Sequence, residues 1–226
     1  MNRNTYQLEI LRVCSDRYIN YSYLIVDRKS RQAAVVDPAW QLEAIEAALE
    51  RYEAKLSTIL LTHSHKDHVH LVPPLCQRYA PHVFMMQKEL DYYHFSAPSL
   101  HGLKDGEELK VGHTSITGLL TPGHTAGGGC YWLEGSLFTG DTIFTEGCGM
   151  CSSEGSDPVE MYYSVKRLQQ LMPPDTRVYP GHSFGERPGQ SMSRLHEMNA
   201  YFQIASLEHF VSFRMRKGQT SLMSFH

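Results

Sequence analysis

No apolar run in the sequence approaches the roughly 18 residues that a membrane-spanning helix requires. The opening stretch MNRNTYQLEI has neither a long apolar segment nor a small-residue cleavage site, so no signal peptide is expected. Charge of one sign is also missing: the net charge is −3, which leaves no excess of basic residues for general binding to nucleic acid or anionic membranes. Cysteine is scarce, with five residues, an odd number, scattered except for Cys148 and Cys151. That usage suits a reducing, cytoplasmic setting better than a disulfide scaffold. No internal repeat, low-complexity tract or linker stands out. With 226 residues, 42% hydrophobic, the chain can bury one substantial core. The expectation is one domain over 1–226 with a short, partly helical C-terminal segment from about 190 onward.

What is present alternates between two periods. TYQLEILRV (5–13), NYSYLIVD (20–27) and QAAVVDP (32–38) read as strands separated by polar turns. QLEAIEAALERYEA (41–54) has helical spacing and good helix formers. STILLT (57–62) is a short apolar strand buried on both faces, and 66–80 is roughly helical, with Pro73 and Pro74 as a break or kink. Further strands are expected at 82–87, 114–121, 130–135, 136–141 and 176–182. DPVEMYYSVKRLQQL (157–171) is an amphipathic helix with Asp157 at its N-cap and Pro158 at its first position, and 191–215 is helical in part. The alternation points to an α/β sandwich.

The one excess is histidine, 13 residues, and its placement carries the argument. THSHKDHVH (62–70) follows the STILLT strand; TPGH ends the 114–121 stretch at His124; FTGD ends at Asp141; YPGH ends at His182. In α/β sheets, sites gather at the carboxyl ends of strands, and four such ends finishing in ligand-type residues are hard to explain by packing. His124, Asp141 and His182 each follow a glycine, which permits close backbone approach. His63 and His65, two apart in an extended segment, point the same way. Asp67 and His68 lie where the chain turns into a helix and aim at a neighbouring point. Two adjacent ligand sets of imidazole and carboxylate, without thiolate, suit two ions of zinc, iron or manganese. The other eight histidines, His70 included, are expected to be structural or solvent-facing.

THSHKDH resembles the HxHxDH signature of the metallo-β-lactamase superfamily, and TPGHTAGG, FTGD and YPGH resemble its remaining ligand motifs, in order. The resemblance covers roughly residues 20 to 185. It implies a metallo-β-lactamase-type four-layered αβ/βα sandwich with metals at one edge. It also implies His63, His65 and His124 on the first metal, Asp67, His68 and His182 on the second, and Asp141 bridging both. Ions in such a site would lower the pKa of a bound water to about 7 and polarise an acyl carbonyl, with Asp67 orienting the attacking oxygen. Hydrolysis of an acyl substrate follows, without a Ser or Cys nucleophile.

Within the superfamily, DTIFTEGCGMCSSEG (141–155) is similar to the glyoxalase II branch, whose members hydrolyse glutathione thioesters. The lysine and tyrosine that contact glutathione there correspond to Met150 and Ser152, and SFGERPGQSMS after His182 lacks the branch's Asn-Leu-x-Phe run. A length of 226 leaves little room for that branch's full helical domain. GCGMC, the helix after it and NAYFQI…FVSFRMR look more like the stand-alone acyl hydrolases of trans-acyltransferase polyketide synthases, which act on acyl carrier proteins. That likeness implies a phosphopantetheine thioester substrate and a carrier-protein partner, with Arg214 and Arg216 as candidate docking residues among Arg187, Arg194 and Lys217. Alternatives are hydroxyacylglutathione hydrolysis and, from another class, a mononuclear iron persulfide dioxygenase. The latter enzymes share the HxHxDH frame and a GCG stretch but carry arginine where Met150 stands. Cys148 and Cys151 form a CxxC that opens no thioredoxin-like βαβ unit, so packing beside the site is expected of them.

Overall fold

The computed structural model describes residues 5–15 and 18–218. One six-stranded sheet holds β1 (Tyr6–Cys14), β2 (Ile19–Asp27), β3 (Gln32–Val36), β4 (Lys55–Leu60), β5 (His82–Met86) and β6 (Leu100–Leu103) side by side in chain order. The first three strands form an antiparallel meander; β3 through β6 run parallel. Parallel neighbours need crossovers. Here these are α1 (Leu42–Arg51), then α2 (Lys66–Val69) with α3 (Val72–Tyr79), then α4 (Gln87–Tyr93). The second sheet holds β7 (Glu108–Val111), β8 (Thr114–Leu120), β9 (Gly129–Leu133), β10 (Ser136–Gly140), β11 (Arg177–Pro180) and β12 (Gln190–Ser191). It is antiparallel except for β10–β11, which α5 (Pro158–Leu171) connects. Three short helices follow: α6 (Met192–Met198), α7 (Ala200–Gln203) and α8 (Leu207–Arg214).

The sequence pattern explains the four layers. Alternate residues of β2 serve opposite faces: Tyr23 and Ile25 pack between the sheets, against Phe138 and Tyr131 of the second one. Leu24 and Val26 pack outward under α1 and α3, against Ile45 and Leu75. A strand buried on both faces needs an unbroken apolar run, which is what YLIV (23–26) provides. The second sheet turns Leu137 and Val178 outward onto α5, which buries Met161, Val165 and Leu168 along one stripe. Burying each such side chain contributes about 1.5–3 kcal/mol. The Asp157 carboxylate caps α5 by accepting from the Val159 backbone N at 2.7 Å, with Pro158 in the first turn, as expected.

Several expectations need correction. Pro73 and Pro74 do not kink a helix over 66–80. The chain breaks at His70 and Leu71, and the prolines open α3, where their missing N–H groups cost nothing. The stretch 191–215 is helical in part, as expected, in three separate helices each started by a side-chain cap: Ser191, Asn199 and Ser206. β6, β7, β12 and α4 were not expected; at two to seven residues each they are too short for a period to register.

Candidate metal centre

β4 of one sheet and β8, β10 and β11 of the other all point their carboxyl ends at the same edge. His63 and His65 follow β4, His124 follows β8, Asp141 follows β10 and His182 follows β11. Backbone hydrogen bonds tie these loops together: Gly129 N to Thr62 O and Tyr21 N to Gly181 O across the sheets, and Gly181 N to Gly140 O within the second sheet, each 2.8 Å. Gly181 is required by closeness, because a Cβ there would stand 2.5 Å from His68 Cε1 and 2.7 Å from Asp141 Oδ1.

The donor atoms gather into two adjoining sets, His63–His65–His124 and Asp67–His68–His182, in each of which they lie within 4.8 Å of one another. Asp141 reaches both: its carboxylate is 3.4 Å from His124 Nε2, 3.5 Å from His68 Nε2 and 3.6 Å from His182 Nε2. His70 joins neither set; it is exposed and packs beside the Trp40 ring.

Proton bookkeeping in the first set leaves a lone pair that a bound cation would satisfy. The Met150 carbonyl can only accept, so His124 Nδ1 (2.7 Å away) carries the proton and Nε2 offers a lone pair. Thr62 Oγ1 donates its hydrogen to Asp37 Oδ2 at 2.6 Å, so His63 Nδ1, 3.0 Å from that oxygen, must donate to it. His63 Nε2 is then a lone pair as well. Both lone pairs face His65 Nδ1, at 3.0 and 3.1 Å, and one nitrogen can supply at most one proton. Protonating the rings is no remedy. Burial pushes His124 down to about 4 and holds His63 well below the ordinary imidazole value, with His68 and His124 repelling a further charge; burial lowers His65 too. Ligand nitrogens about 2.0–2.1 Å from a tetrahedral zinc stand roughly 3.3 Å apart, close to what is observed.

The second set has the opposite polarity. Asp37 Oδ2 accepts from His68 Nδ1 at 2.9 Å and the Ile19 carbonyl accepts from His182 Nδ1 at 2.8 Å, so both Nε2 atoms turn inward. They meet carboxylates: Asp67 Oδ2 is 3.2 Å from His182 Nε2 and 3.6 Å from His68 Nε2. Burial disfavours the charged imidazole of His68, but Asp141 and Asp37 outweigh it and hold the group up to about 10. His182 is raised by Asp141 and Asp67 against the same burial. Asp67 lies well below the usual carboxylate range: burial would raise it, and the His182 hydrogen bond and the charges of His68 and His182 prevail. Among the described residues, His68 Nε2 and Asp141 Oδ1 are buried without a hydrogen-bond partner, as expected of ligand atoms facing an ion. Imidazole and carboxylate donors in two sets, sharing one carboxylate, are compatible with a dinuclear site for divalent metals.

Three anchoring residues were not anticipated from sequence. Asp37, at the end of β3, holds His68 and Thr62 together. Glu89 on α4, wholly buried, accepts from Ser64 N and Oγ at 2.9 and 2.8 Å and from Gly127 N at 3.0 Å, so it ties the His63–His65 loop to the His124 loop. Asn20 donates to Asp67 O and Oδ2 at 2.9 and 3.1 Å and accepts from Trp40 Nε1 at 2.7 Å. Such outer partners fix ligand tautomer and orientation. Only VVDP at the end of a strand offered a signal, for Asp37.

A cavity of about 440 Å³ opens off the centre, with Phe144, Phe184, Tyr201 and Phe213 among its walls. Met150 and Ser152 face into it. Arg214 and Arg216 both border it, but they differ from the expected pair of rim charges. Arg216 is exposed, its guanidinium stacked 3.9 Å over the Phe213 ring. Arg214 is only 5% exposed and donates to the Cys148 carbonyl at 2.7 Å, so it is a wall residue and not a surface charge for docking.

The metallo-beta-lactamase superfamily model matches residues 16–182. The probable polyketide biosynthesis zinc-dependent hydrolase BaeB of Bacillus velezensis is 48% identical over 222 residues, spanning 98% of this chain and 99% of that protein. The hydroxyacylglutathione hydrolase of Brucella canis is 38% identical over 188 residues, 81% of this chain and 68% of that protein. A crystal structure of a metallo-beta-lactamase from Staphylococcus aureus superposes with a TM-score of 0.85 at 20% identity, covering 97% of this chain and 71% of that one.

Proposed function

The chain belongs to the metallo-beta-lactamase superfamily, and on that premise we propose that it is a dinuclear, zinc-dependent hydrolase that releases acyl groups from a phosphopantetheine thioester, such as one borne by an acyl carrier protein of a polyketide synthase. The observation that carries the reading is the double donor set with its shared carboxylate. His63, His65 and His124 would hold one ion, Asp67, His68 and His182 the other, and Asp141 both. Bound divalent ions supply an activated water at neutral pH and polarise an acyl carbonyl. The protein's own groups do the rest. Asn20 fixes the Asp67 carboxylate, which would orient the attacking oxygen. The aromatic wall excludes bulk water from the acyl carbon. Cys148 and Cys151, pushed up by burial to about 11 and about 12, stay protonated and supply no nucleophile.

Support for the carrier comes from two sides. BaeB is by name a polyketide biosynthesis hydrolase and aligns with this chain almost end to end. Met150 and Ser152, which correspond to the lysine and tyrosine of the glutathione branch, line the cavity, and this favours a carrier other than glutathione. Exposed Arg216 at the cavity mouth suits contact with an acidic carrier, where complementary charge speeds encounter.

The test is a hydrolysis panel on zinc-loaded protein with one acyl group on a carrier protein, on pantetheine and on glutathione. The expected order of kcat/KM is carrier first and glutathione last. Glutathione hydrolysed best would make the chain a hydroxyacylglutathione hydrolase. No thioester hydrolysis, with oxygen consumed on a persulfide substrate, would transfer it to the dioxygenase class.

A further inference from the structure

The C-terminal helices reach the centre through two buried polar side chains. Asn199, fully buried between α6 and α7, donates from Nδ2 to the carbonyls of Phe144 at 3.0 Å and Gly147 at 2.9 Å. Both carbonyls belong to the tight turn after Asp141, which is closed by the Phe144 N to Gly147 O bond and the Ile143–Cys148 bridge. Arg214, the last residue of α8, donates from Nη1 to Cys148 O at 2.7 Å and from Nη2 to Met150 Sδ at 3.0 Å, and its guanidinium lies over the Tyr201 ring. Met150 O in turn accepts from His124 Nδ1. Between them, Gly149 presses on the site: a Cβ there would stand 2.0 Å from Asp141 O and 2.9 Å from His124 Nδ1. Residues 144–150 are thus gripped from one side by Asn199 and Arg214 and seated on the other against His124 and Asp141.

We propose that Asn199 and Arg214 are positioning residues for the first metal centre, acting through the 144–150 segment to fix the Met150 carbonyl that orients His124. The inference rests on the dinuclear reading and goes beyond it by making the two ions unequal. The second set is anchored by other groups, Asp37 on His68, Ile19 O on His182 and Asn20 on Asp67. Arg214 acts at Cys148 and Met150, next to His124, whereas Phe144, at the far end of the segment, meets the His182 ring edge-on at 6.3 Å; loosening the Arg214 end therefore frees the His124 ring before it disturbs Asp67, His68 and His182. Outer-shell partners of this kind are worth about 10- to 100-fold in metal affinity.

Zinc is the probe, read by elemental analysis and by competition with a chelating indicator on the full chain. Arg214→Ala should keep one zinc as tightly as the parent and release the other about 10- to 100-fold more readily, with the melting temperature confirming a folded protein. Arg214→Lys, which can still reach Cys148 O but not Met150 Sδ, should fall between. A double-mutant cycle locates the effect: Arg214→Ala should add little to the loss caused by His124→Ala and add in full to that caused by His182→Ala. A folded Arg214→Ala that holds both ions like the parent overturns the proposal, and so does equal weakening of both. If Arg214→Ala does not fold, Arg214→Lys decides by the same criterion: unequal loss supports the brace, equal or no loss refutes it. A parent protein that binds a single zinc defeats the dinuclear reading itself, a result distinct from any of these.

Discussion

Asp37→Asn should switch the tautomer of His68 and so weaken the second metal centre without altering any ligand. The substitution is isosteric and changes only the number of hydrogens at the site. Asp37 Oδ1 accepts from Thr62 N at 2.8 Å; Oδ2 accepts from Thr62 Oγ1 at 2.6 Å and His68 Nδ1 at 2.9 Å. A carboxylate meets all three donors, whereas an amide must place NH₂ at one of the two oxygen positions. With NH₂ at the Oδ2 position, the Thr62 hydroxyl can rotate to accept, and His68 can move its proton from Nδ1 to Nε2. Nε2–H then points at the centre and offers no lone pair. Loss of such a partner costs about 10- to 100-fold in metal affinity, or roughly 1.4–2.7 kcal/mol at 1.36 kcal/mol per decade. With NH₂ at the Oδ1 position, it opposes the Thr62 backbone N–H, which cannot become an acceptor. A buried donor left unmet costs about 1–3 kcal/mol, and for a chain of this size each kcal/mol lowers the melting temperature by about 2–4 °C.

The assay is paired: chelator competition for zinc, and thermal melts of the loaded and stripped protein. The expected result is selective loss of one ion with kcat reduced in parallel, or a fall in melting temperature of about 2–12 °C. A variant that holds two ions like the parent, melts at the parent temperature and turns over normally would refute the tautomer argument.

Zinc binding should release at least one proton per chain at pH 7, because His68 is held charged up to about 10 while His63, His65 and His124 are already neutral; calorimetry in buffers of different ionisation enthalpy measures the number. In stripped protein the His68 value is raised on folding, so its stabilisation is full below about pH 6.5 and fades as pH rises toward 10; a Asp37–His68 pair that contributes nothing to this slope, read from melts of the parent against His68→Gln, would contradict the pairing. Asp67→Ala should cost orders of magnitude in turnover with the fold intact, since an ion ligand and the orienting carboxylate vanish together. The double change Cys148→Ser with Cys151→Ser should leave two zinc ions and activity within about tenfold, below roughly 1.4 kcal/mol; collapse of turnover in loaded protein would give the thiols a role. Arg216→Glu should lower kcat/KM for a carrier-protein substrate more than for acyl-pantetheine, with the difference shrinking as salt rises past a screening length of about 8–10 Å; equal losses would place Arg216 in the pocket and not in docking.

The seven ligand-type residues were legible because each sits in a short local pattern. HSHKDH is six consecutive positions, and His124, Asp141 and His182 each end a strand immediately after glycine. Their convergence followed from one rule, that strand ends in α/β sheets share an edge. The anchors are different in kind. Asp37 serves His68 from 31 positions away, Glu89 serves Ser64 from 25 and Gly127 from 38, and Ile19 serves His182 from 163. No spacing rule links such pairs, because the contact exists only once β3 lies beside β4 and the two sheets have closed. The same limit explains Arg214. In the string FRMRKG it is one of three basic residues near a C-terminal stretch, and composition treats them alike. Only the packing of α8 separates a guanidinium buried against Cys148 O from the one two residues on that stacks on Phe213 in solvent. The candidate ligand set is thus written locally, whereas the proton on each of its members is set by residues distant in sequence. It is that second layer, and not the motif, that decides which imidazoles are neutral and which centre would bind its ion by displacing a proton.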